Sequence, residues 1–196
     1  MSKRRTYPVR TPRFAAGIRA QESRTGGGRS WWAKRWLGAL EAMRLGARLG
    51  RGRSYALSGQ VTSLSIQGPR VMASVVGARP EPYEVDIAFR TPDEAARARI
   101  VAKLRAEPML VARLLADDLP PEVEAIFRCE GLDLFPGGRL APRTYDVTTR
   151  CSCPDYANPC KHVTAVLLIL GEEIAWRPLT LLELRGITTE ELVDGD

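Results

Sequence analysis

The sequence predicts an α+β protein: an antiparallel β-meander with flanking helices, followed by a small C-terminal strand-loop-helix module that binds metal. Three observations predict it. Apolar residues recur at helical spacing from Ser30, the apolar period then shortens to two, and three cysteines cluster with the single histidine between residues 151 and 162. With 196 residues, 44% hydrophobic and 27% charged, the chain has an ordinary globular composition, which argues against wholesale disorder and a membrane bundle.

The first predicted helix begins at Ser30, a suitable N-cap, and runs to about Arg48. The glycines of segment 50–53 are expected to end it. From Tyr55 onward the two-residue period predicts three or four strands up to Phe89, joined by Gly- and Pro-containing turns. The phase of this alternation slips after Val61, which predicts a bulge.

Helices are expected again after the strands. Thr91 opens a capping box with Pro92 at the first helical position, and the helix is predicted to continue to about Ala106. The pattern predicts further helices at 108–116 and 121–129, with Leu132, Leu134 and Phe135 packing on them. A polar loop at 136–143 precedes a predicted strand at 144–151 and closing helices at 158–176, 179–184 and 189–193.

Positive charge is concentrated at the front of the chain. Residues 1–53 contain fourteen Lys or Arg against two Glu, a net charge of +12, and the remainder carries −6. Residues 1–28 lack periodicity and are expected to form a basic flexible arm, followed by a body at 29–135 and a metal-binding region at 136–196. Candidate nucleic-acid contacts are Arg4, Arg5, Arg10, Arg13, Arg29, Lys34 and Arg35. Trp31 and Trp32 would suit base stacking, although Trp32 and Trp36 lie one helical turn apart and are better explained as core residues.

The cysteine cluster carries the clearest chemistry. Cys151, Cys153, Cys160 and His162 supply the three thiolates and one imidazole of a closed tetrahedral Zn²⁺ site. Cys151 and Cys153 would end a strand and share a face, while Asn158 would cap a helix whose first turn contains Cys160. The rival reading is a redox dithiol, which leaves His162 unexplained. Cys129 is expected to be a small buried residue beside Phe127.

The run from Cys151 to His162 resembles the SWIM zinc-finger family, whose pattern is C-x-C-x(n)-C-x-H. The segments around Trp31, Ser54 and Phe135 are similar to the body of bacterial stand-alone SWIM proteins, so the resemblance covers roughly residues 28–194. It implies a zinc module that binds DNA or protein, with a Swi/Snf-type DNA-dependent ATPase as a candidate partner. No catalytic residues carry over.

Enzymatic activity is not expected, because four protein ligands leave Zn²⁺ no open position and no second histidine is present as a general base. The expected function is a zinc protein that binds nucleic acid or acts as an adaptor in DNA-associated complexes. The alternative is a pure protein partner of the Swi/Snf-type ATPase. The −6 charge of the segment around the finger argues against direct DNA contact there. The absence of an export signal and the clustered thiols predict a cytoplasmic location, in which nucleoid association would be natural.

Overall fold

A computed structural model describes residues 11–21, 30–43, 45–136 and 146–193. Within these ranges the strands β1 (Val61–Gln67), β2 (Arg70–Val75), β3 (Tyr83–Phe89) and β4 (Val147–Cys151) form one antiparallel sheet in the order β1-β2-β3-β4. The described helices are α1 (Trp31–Ala42), α2 (Ala47–Leu57), α3 (Glu94–Arg105), α4 (Pro108–Leu115), α5 (Pro121–Cys129), α6 (Lys161–Trp176), α7 (Thr180–Leu184) and α8 (Thr189–Val193). The α+β prediction is confirmed.

The sheet has one buried face and one exposed face. Along β3, buried residues alternate with residues that are more exposed, as the two-residue period requires. The pairing of β1 with β2 shifts register between Val61 and Ser63, which confirms the predicted bulge. Because β4 pairs with β3, the predicted body and the metal-binding region share one sheet.

The central helix of the core is α6. Its residues 162–170 are all buried, and it packs on α1, α2 and the sheet. Trp36 is fully buried against it and donates a hydrogen bond from Nε1 to the Leu167 carbonyl at 3.1 Å. The apolar character of this segment on every side follows from that position, because a helix enclosed by other elements has no solvent face.

The N-terminal helical region differs from the prediction. The single helix expected over 30–48 is two helices, and Tyr55 and Leu57 lie in α2 rather than in a strand. Gly50 and Gly52, expected to break the helix, are inside it. The reason at Gly52 is tertiary: α2 approaches α6 so closely that a Cβ there would lie 2.6 Å from Thr164 Cβ. Packing therefore overrides the low helix propensity of glycine.

The start of α3 also differs from the prediction. The N-cap is Asp93, whose Oδ1 accepts a hydrogen bond from the Ala96 backbone N–H at 2.7 Å, so Pro92 precedes the cap instead of occupying the first helical position. Thr91 and Asp93 are both residue types that form N-caps, so the sequence allows the helix to begin at either of two positions. Further along the chain, Leu132, Leu134 and Phe135 are buried as predicted.

Part of the predicted arm packs against the body. Ile18 forms a β-bridge with Val61, and the backbone N–H groups of Arg13 and Ala20 donate to the carbonyls of Gly77 and Ala56. Residues 11–21 are thus held by main-chain hydrogen bonds. The division of the chain into three segments stays a prediction. The 137–143 part of the expected loop and the first residues of the expected strand, 144 and 145, lie outside the described residues.

None of the helices that the structure describes combines the length and the apolar character that crossing a bilayer requires.

Candidate metal centre

The end of β4 places the first two metal-ligating candidates. Cys151 pairs with Val85 of β3, and the ladder extends by one residue, since the Ser152 N–H donates to the Glu84 carbonyl at 3.0 Å. Cys151 and Cys153 are half-buried, whereas Ser152 between them is exposed. The two thiols therefore share the inner face of the strand end, as the strand period predicts.

The loop between the two cysteine pairs is tied back to β4. The Asn158 side chain donates from Nδ2 to the Thr149 carbonyl at 2.8 Å and accepts from Thr149 Oγ1 at 2.5 Å. Asn158 is therefore not the helix cap that the sequence suggested. Cys160 is the N-cap, and α6 begins at Lys161. Asn158 contributes instead by fixing the loop that brings Cys160 towards Cys151.

The structure brings all four predicted ligands together. One potential ligand atom from each of Cys151, Cys153, Cys160 and His162 lies within 4.8 Å of the others. His162 Nδ1 is 3.8 Å from both Cys151 Sγ and Cys160 Sγ. A tetrahedral Zn²⁺ with Zn–S of about 2.3 Å and Zn–N of about 2.0 Å has S···N edges of about 3.5 Å. The donor set and its spacing therefore fit Zn²⁺.

The protonation of the cysteines is uneven. The hydrogen bond with the Cys151 thiol, followed by His162 and the Val163 N–H, lowers the pKa of Cys160 to about 4, although burial acts in the opposite direction. The same hydrogen bond, together with burial, raises the pKa of Cys151, and burial raises the pKa of Cys153. The lowered pKa favours the thiolate form of Cys160 at the start of α6, which is the form that binds Zn²⁺.

Two aromatic rings enclose the imidazole. The ring centroids of Tyr83 and Tyr55 lie 4.5 Å and 5.2 Å from that of His162. His162 is buried, and its Nε2 has no hydrogen-bond partner among the described residues. A Cβ on Gly77 would lie 2.4 Å from Tyr83 Cε2, so glycine at this position lets the ring approach. These packing residues were not predicted; Tyr55 was assigned to a strand.

A cavity of about 210 Å³ opens beside the metal centre. Its lining contains the cationic side chains of Arg79 and Lys161 and the carboxylate of Asp155. The Lys161 Nζ lies 5.2 Å from the Tyr55 ring centroid, and the Arg79 guanidinium carbon lies 6.0 Å from that of Tyr83. The negative net charge of the C-terminal segment therefore does not describe the surface next to the ligands, where Arg79 and Lys161 line the same cavity as Asp155.

The remaining predicted site residues lie elsewhere. Arg13 is exposed, and its backbone is bonded to Gly77 near this cavity. Lys34 and Arg35 are exposed on α1, and Arg35 forms an ion pair with Glu124 at 2.9 Å. Arg4, Arg5, Arg10 and Arg29 lie outside the described residues.

The predicted aromatic platform on α1 is engaged in packing. Trp31 Nε1 donates to the Leu119 carbonyl at 2.8 Å, and Trp32 Nε1 donates to the Ile174 carbonyl at 3.1 Å. Both side chains are partly buried against the core. Cys129 differs from its prediction too, because it is exposed at the end of α5 and not buried beside Phe127. It lies on the face of α5 that turns away from the core.

Comparison with known proteins agrees with the site. Residues 143–171 match the family model described as SWIM zinc finger. The chain is 37% identical over 186 residues to the uncharacterized protein Rv2102 of Mycobacterium tuberculosis, a match that covers 95% of this chain and 65% of that relative's length. No solved structure matches the chain significantly. The family match contains all four clustered ligands, so this chain carries a SWIM zinc finger whose three thiols and one imidazole are positioned to bind zinc.

Proposed function

We propose that this protein is a non-enzymatic zinc protein that binds nucleic acid in DNA-associated assemblies of the cytoplasm or nucleoid. The observation that carries the proposal is the position of Arg79 and Lys161 in one cavity beside the metal centre. Guanidinium and ammonium groups on a fixed scaffold are suited to phosphate contacts. The metal centre fixes the backbone of Lys161, because this residue is the first of α6 and lies between the ligands Cys160 and His162 in the chain.

Neighbouring elements add further positive charge. Arg48 donates from Nη1 to the Pro159 carbonyl at 3.2 Å, which places it at the base of the ligand loop. Arg51 and Arg53 are exposed on either side of Gly52, which contacts α6. Arg13 reaches the same region through its backbone bond to Gly77. Together with Arg79 and Lys161, these residues come from four separate parts of the sequence, and their placement around the metal centre favours a phosphate-binding surface.

The closed ligand set supports a role without catalysis. Three cysteines and one histidine would complete the tetrahedron, so zinc would keep no position for water or substrate. His162 is the single histidine of the chain and is committed to this cluster. The site is therefore better suited to fixing β4 against α6 than to performing a reaction.

The test is binding of a fluorescently labelled DNA at several salt concentrations, followed by anisotropy. The logarithm of the association constant should fall linearly with the logarithm of salt concentration, by about 0.7 to 0.9 per phosphate contact. Deleting residues 1–10 removes Lys3, Arg4, Arg5 and Arg10 and should reduce that slope. This deletion leaves the bonded segment 11–21 in place. Absence of binding by the zinc-loaded protein at about 50 mM salt would contradict the proposal.

A second candidate function is supported by a different surface. An apolar groove of about 590 Å³ lies between α4 and α5, with Met109 75% exposed at its rim. Exposed apolar side chains around a groove favour a protein adaptor. A Swi/Snf-type DNA-dependent ATPase is the partner that the SWIM resemblance implies.

Affinity purification from the native host, with and without nuclease, separates the two candidates. An adaptor contact should survive nuclease and high salt and should be lost in Met109→Asp. Met72→Asp, at a partly exposed methionine on β2, is the matched control. A partner released by nuclease alone would count against the adaptor role and in favour of bridging by DNA.

A further inference from the structure

We propose, on the basis of the nucleic-acid function above, that the cavity beside the metal centre holds one phosphate of a single-stranded nucleic acid whose flanking bases stack on Tyr156 and Phe14. Three features support this proposal: the cavity, the surroundings of the imidazole and two exposed aromatic side chains.

The cavity is large enough for a single chemical group, such as a phosphate, but not for a whole small molecule. Its volume of about 210 Å³ is below the roughly 300 to 1,000 Å³ usual for small-molecule sites. Arg79 and Lys161 supply two positive charges, while the Oδ1 of Asp155, the acidic residue of the lining, accepts a hydrogen bond from the Ala157 N–H at 3.1 Å. The ionised side chains Arg79, Lys161 and Asp155 sum to one positive charge, which would balance the single negative charge of a Zn²⁺ ion held by three thiolates. A phosphate would therefore be held by the local positions of Arg79 and Lys161 and not by an excess of positive charge.

The inner wall of the cavity contains a buried N–H group and the N-terminus of a helix. The Nδ1 of His162 faces the sulfurs, so the opposite ring nitrogen, Nε2, must carry the proton when Nδ1 binds zinc. This N–H is buried and has no hydrogen-bond partner in the described part of the chain. The cavity also lies at the N-terminal end of the 16-residue helix α6, where unpaired backbone N–H groups carry partial positive charge. An anion at the mouth of the cavity would be stabilised by both.

Two exposed aromatic residues are neighbours in the chain of residues that lie at or near this cavity. Tyr156 is fully exposed and directly follows Asp155 of the lining. Phe14 is 87% exposed and follows Arg13, whose backbone is bonded to Gly77, two residues before Arg79. Aromatic rings that alternate with cations are how proteins bind single strands, because unpaired bases stack while cations follow the phosphates. In duplex DNA the bases are stacked on each other and are not available to these rings.

The test compares a labelled single strand of about 12 nucleotides with the corresponding duplex, using the zinc-loaded full chain. The single strand should bind more tightly. Tyr156→Ala should weaken single-strand binding by about 5- to 150-fold, the effect of losing one stacked base, and should leave duplex binding unchanged. Tyr156→Phe keeps the ring and should retain affinity. Since Tyr156 is fully exposed, these variants are expected to fold normally.

The phosphate contact is tested by Lys161→Gln, which should weaken single-strand binding and lower the salt slope by about one. The matched control is Lys103→Gln, which removes the same charge from α3 at a different surface. Equal binding of single strand and duplex, with no effect of Tyr156→Ala, would overturn this inference while leaving the proposed function intact. Binding of an acidic peptide in preference to the oligonucleotide would overturn it as well. Failure to bind any nucleic acid would remove the proposed function together with it.

Discussion

Gly52 of α2 lies directly against Thr164 of α6, and a Cβ on the glycine would come within 2.6 Å of both Thr164 Cβ and Cγ2. Thr164 is fully buried, and its Oγ1 donates to the Cys160 carbonyl at 2.9 Å. The helix that follows the ligand Cys160 is therefore held in place by a contact between a glycine and a β-branched residue. This contact couples the N-terminal helices to the metal centre.

The first prediction concerns this contact. Gly52→Ala is expected to lower the free energy of unfolding by about 1 to 3 kcal/mol, because the neighbouring atoms belong to a stiff side chain in a packed core. Gly50→Ala in the same helix meets no atom within 4 Å and should raise that free energy by up to about 1 kcal/mol. Chemical denaturation of both variants measures the difference. Equal effects would mean that α2 does not approach α6 this closely.

The second prediction concerns zinc. The purified protein should contain one zinc ion per chain by elemental analysis, and Cys160→Ser should lose it. Cys129→Ser is the matched control, since Cys129 is exposed and outside the cluster, and this variant should retain one zinc. Zinc in Cys160→Ser at full stoichiometry would contradict the assignment of the ligands.

The third prediction concerns removal of zinc. Chelation should abolish hydrogen-exchange protection over residues 146–176 and lower the melting temperature by about 10 °C or more, because metal-binding free energy contributes to folding free energy. The described part of this range includes β4 and the buried helix α6, so the change should spread to the sheet. An unchanged melt after verified zinc loss would show that the core holds without the metal.

The fourth prediction concerns pH. Hydrogen bonds from Lys103 and Arg99 hold the pKa of Glu130 below its ordinary value. Since the folded pKa is the lower one, this interaction stabilises the protein above the unfolded pKa of about 4.3, and its contribution is lost as pH falls through the folded pKa. The stability difference between wild type and Glu130→Gln should therefore be constant at neutral pH and shrink as pH falls below about 5. Glu81→Gln, at an exposed loop residue, is the control in urea titrations.

The fifth prediction concerns a buried guanidinium. Arg185 is 1% exposed and donates to the carbonyls of Arg90 at 2.7 Å and Leu134 at 3.2 Å. Burial lowers its pKa to about 10. Arg185→Met should cost about 3 kcal/mol or more, because it leaves buried acceptors and the buried Asp146 carboxylate without this cation. Arg177→Met, which removes the exposed ion pair with Glu183, should cost about 1 kcal/mol or less.

Much of the fold and the ligand set could be predicted from the sequence, because the relevant signals are local. Strand alternation located β1 to β3, and the bulge near Val61 appears in the sequence as a change of phase. The four metal ligands lie within twelve positions, and a Cys-x-Cys pair on a strand must point to one side. These features require no knowledge of distant contacts.

The errors arose where a distant contact decides the local structure. Gly52 lies inside a helix because α2 packs so closely on Thr164 that no Cβ would fit at this position. The residues near Gly52 in sequence do not indicate this contact. Asn158 is a good capping residue, but its side chain is used by Thr149. Arg79 and Lys161 are far apart in sequence, so net charge by segment did not reveal their proximity. Whole-segment charge is a poor guide to a surface assembled from several strands and helices.

Because β4 is the fourth strand of the sheet, the zinc finger is not expected to fold independently of the other three strands. An excised peptide covering residues 146–176 would carry the bare edge of a strand and an apolar helix stripped of its cover. We expect such a fragment to aggregate instead of folding, even when zinc is added. A scaffold protein into which a finger of this type is grafted would need both an unpaired strand edge and an apolar surface that covers the helix.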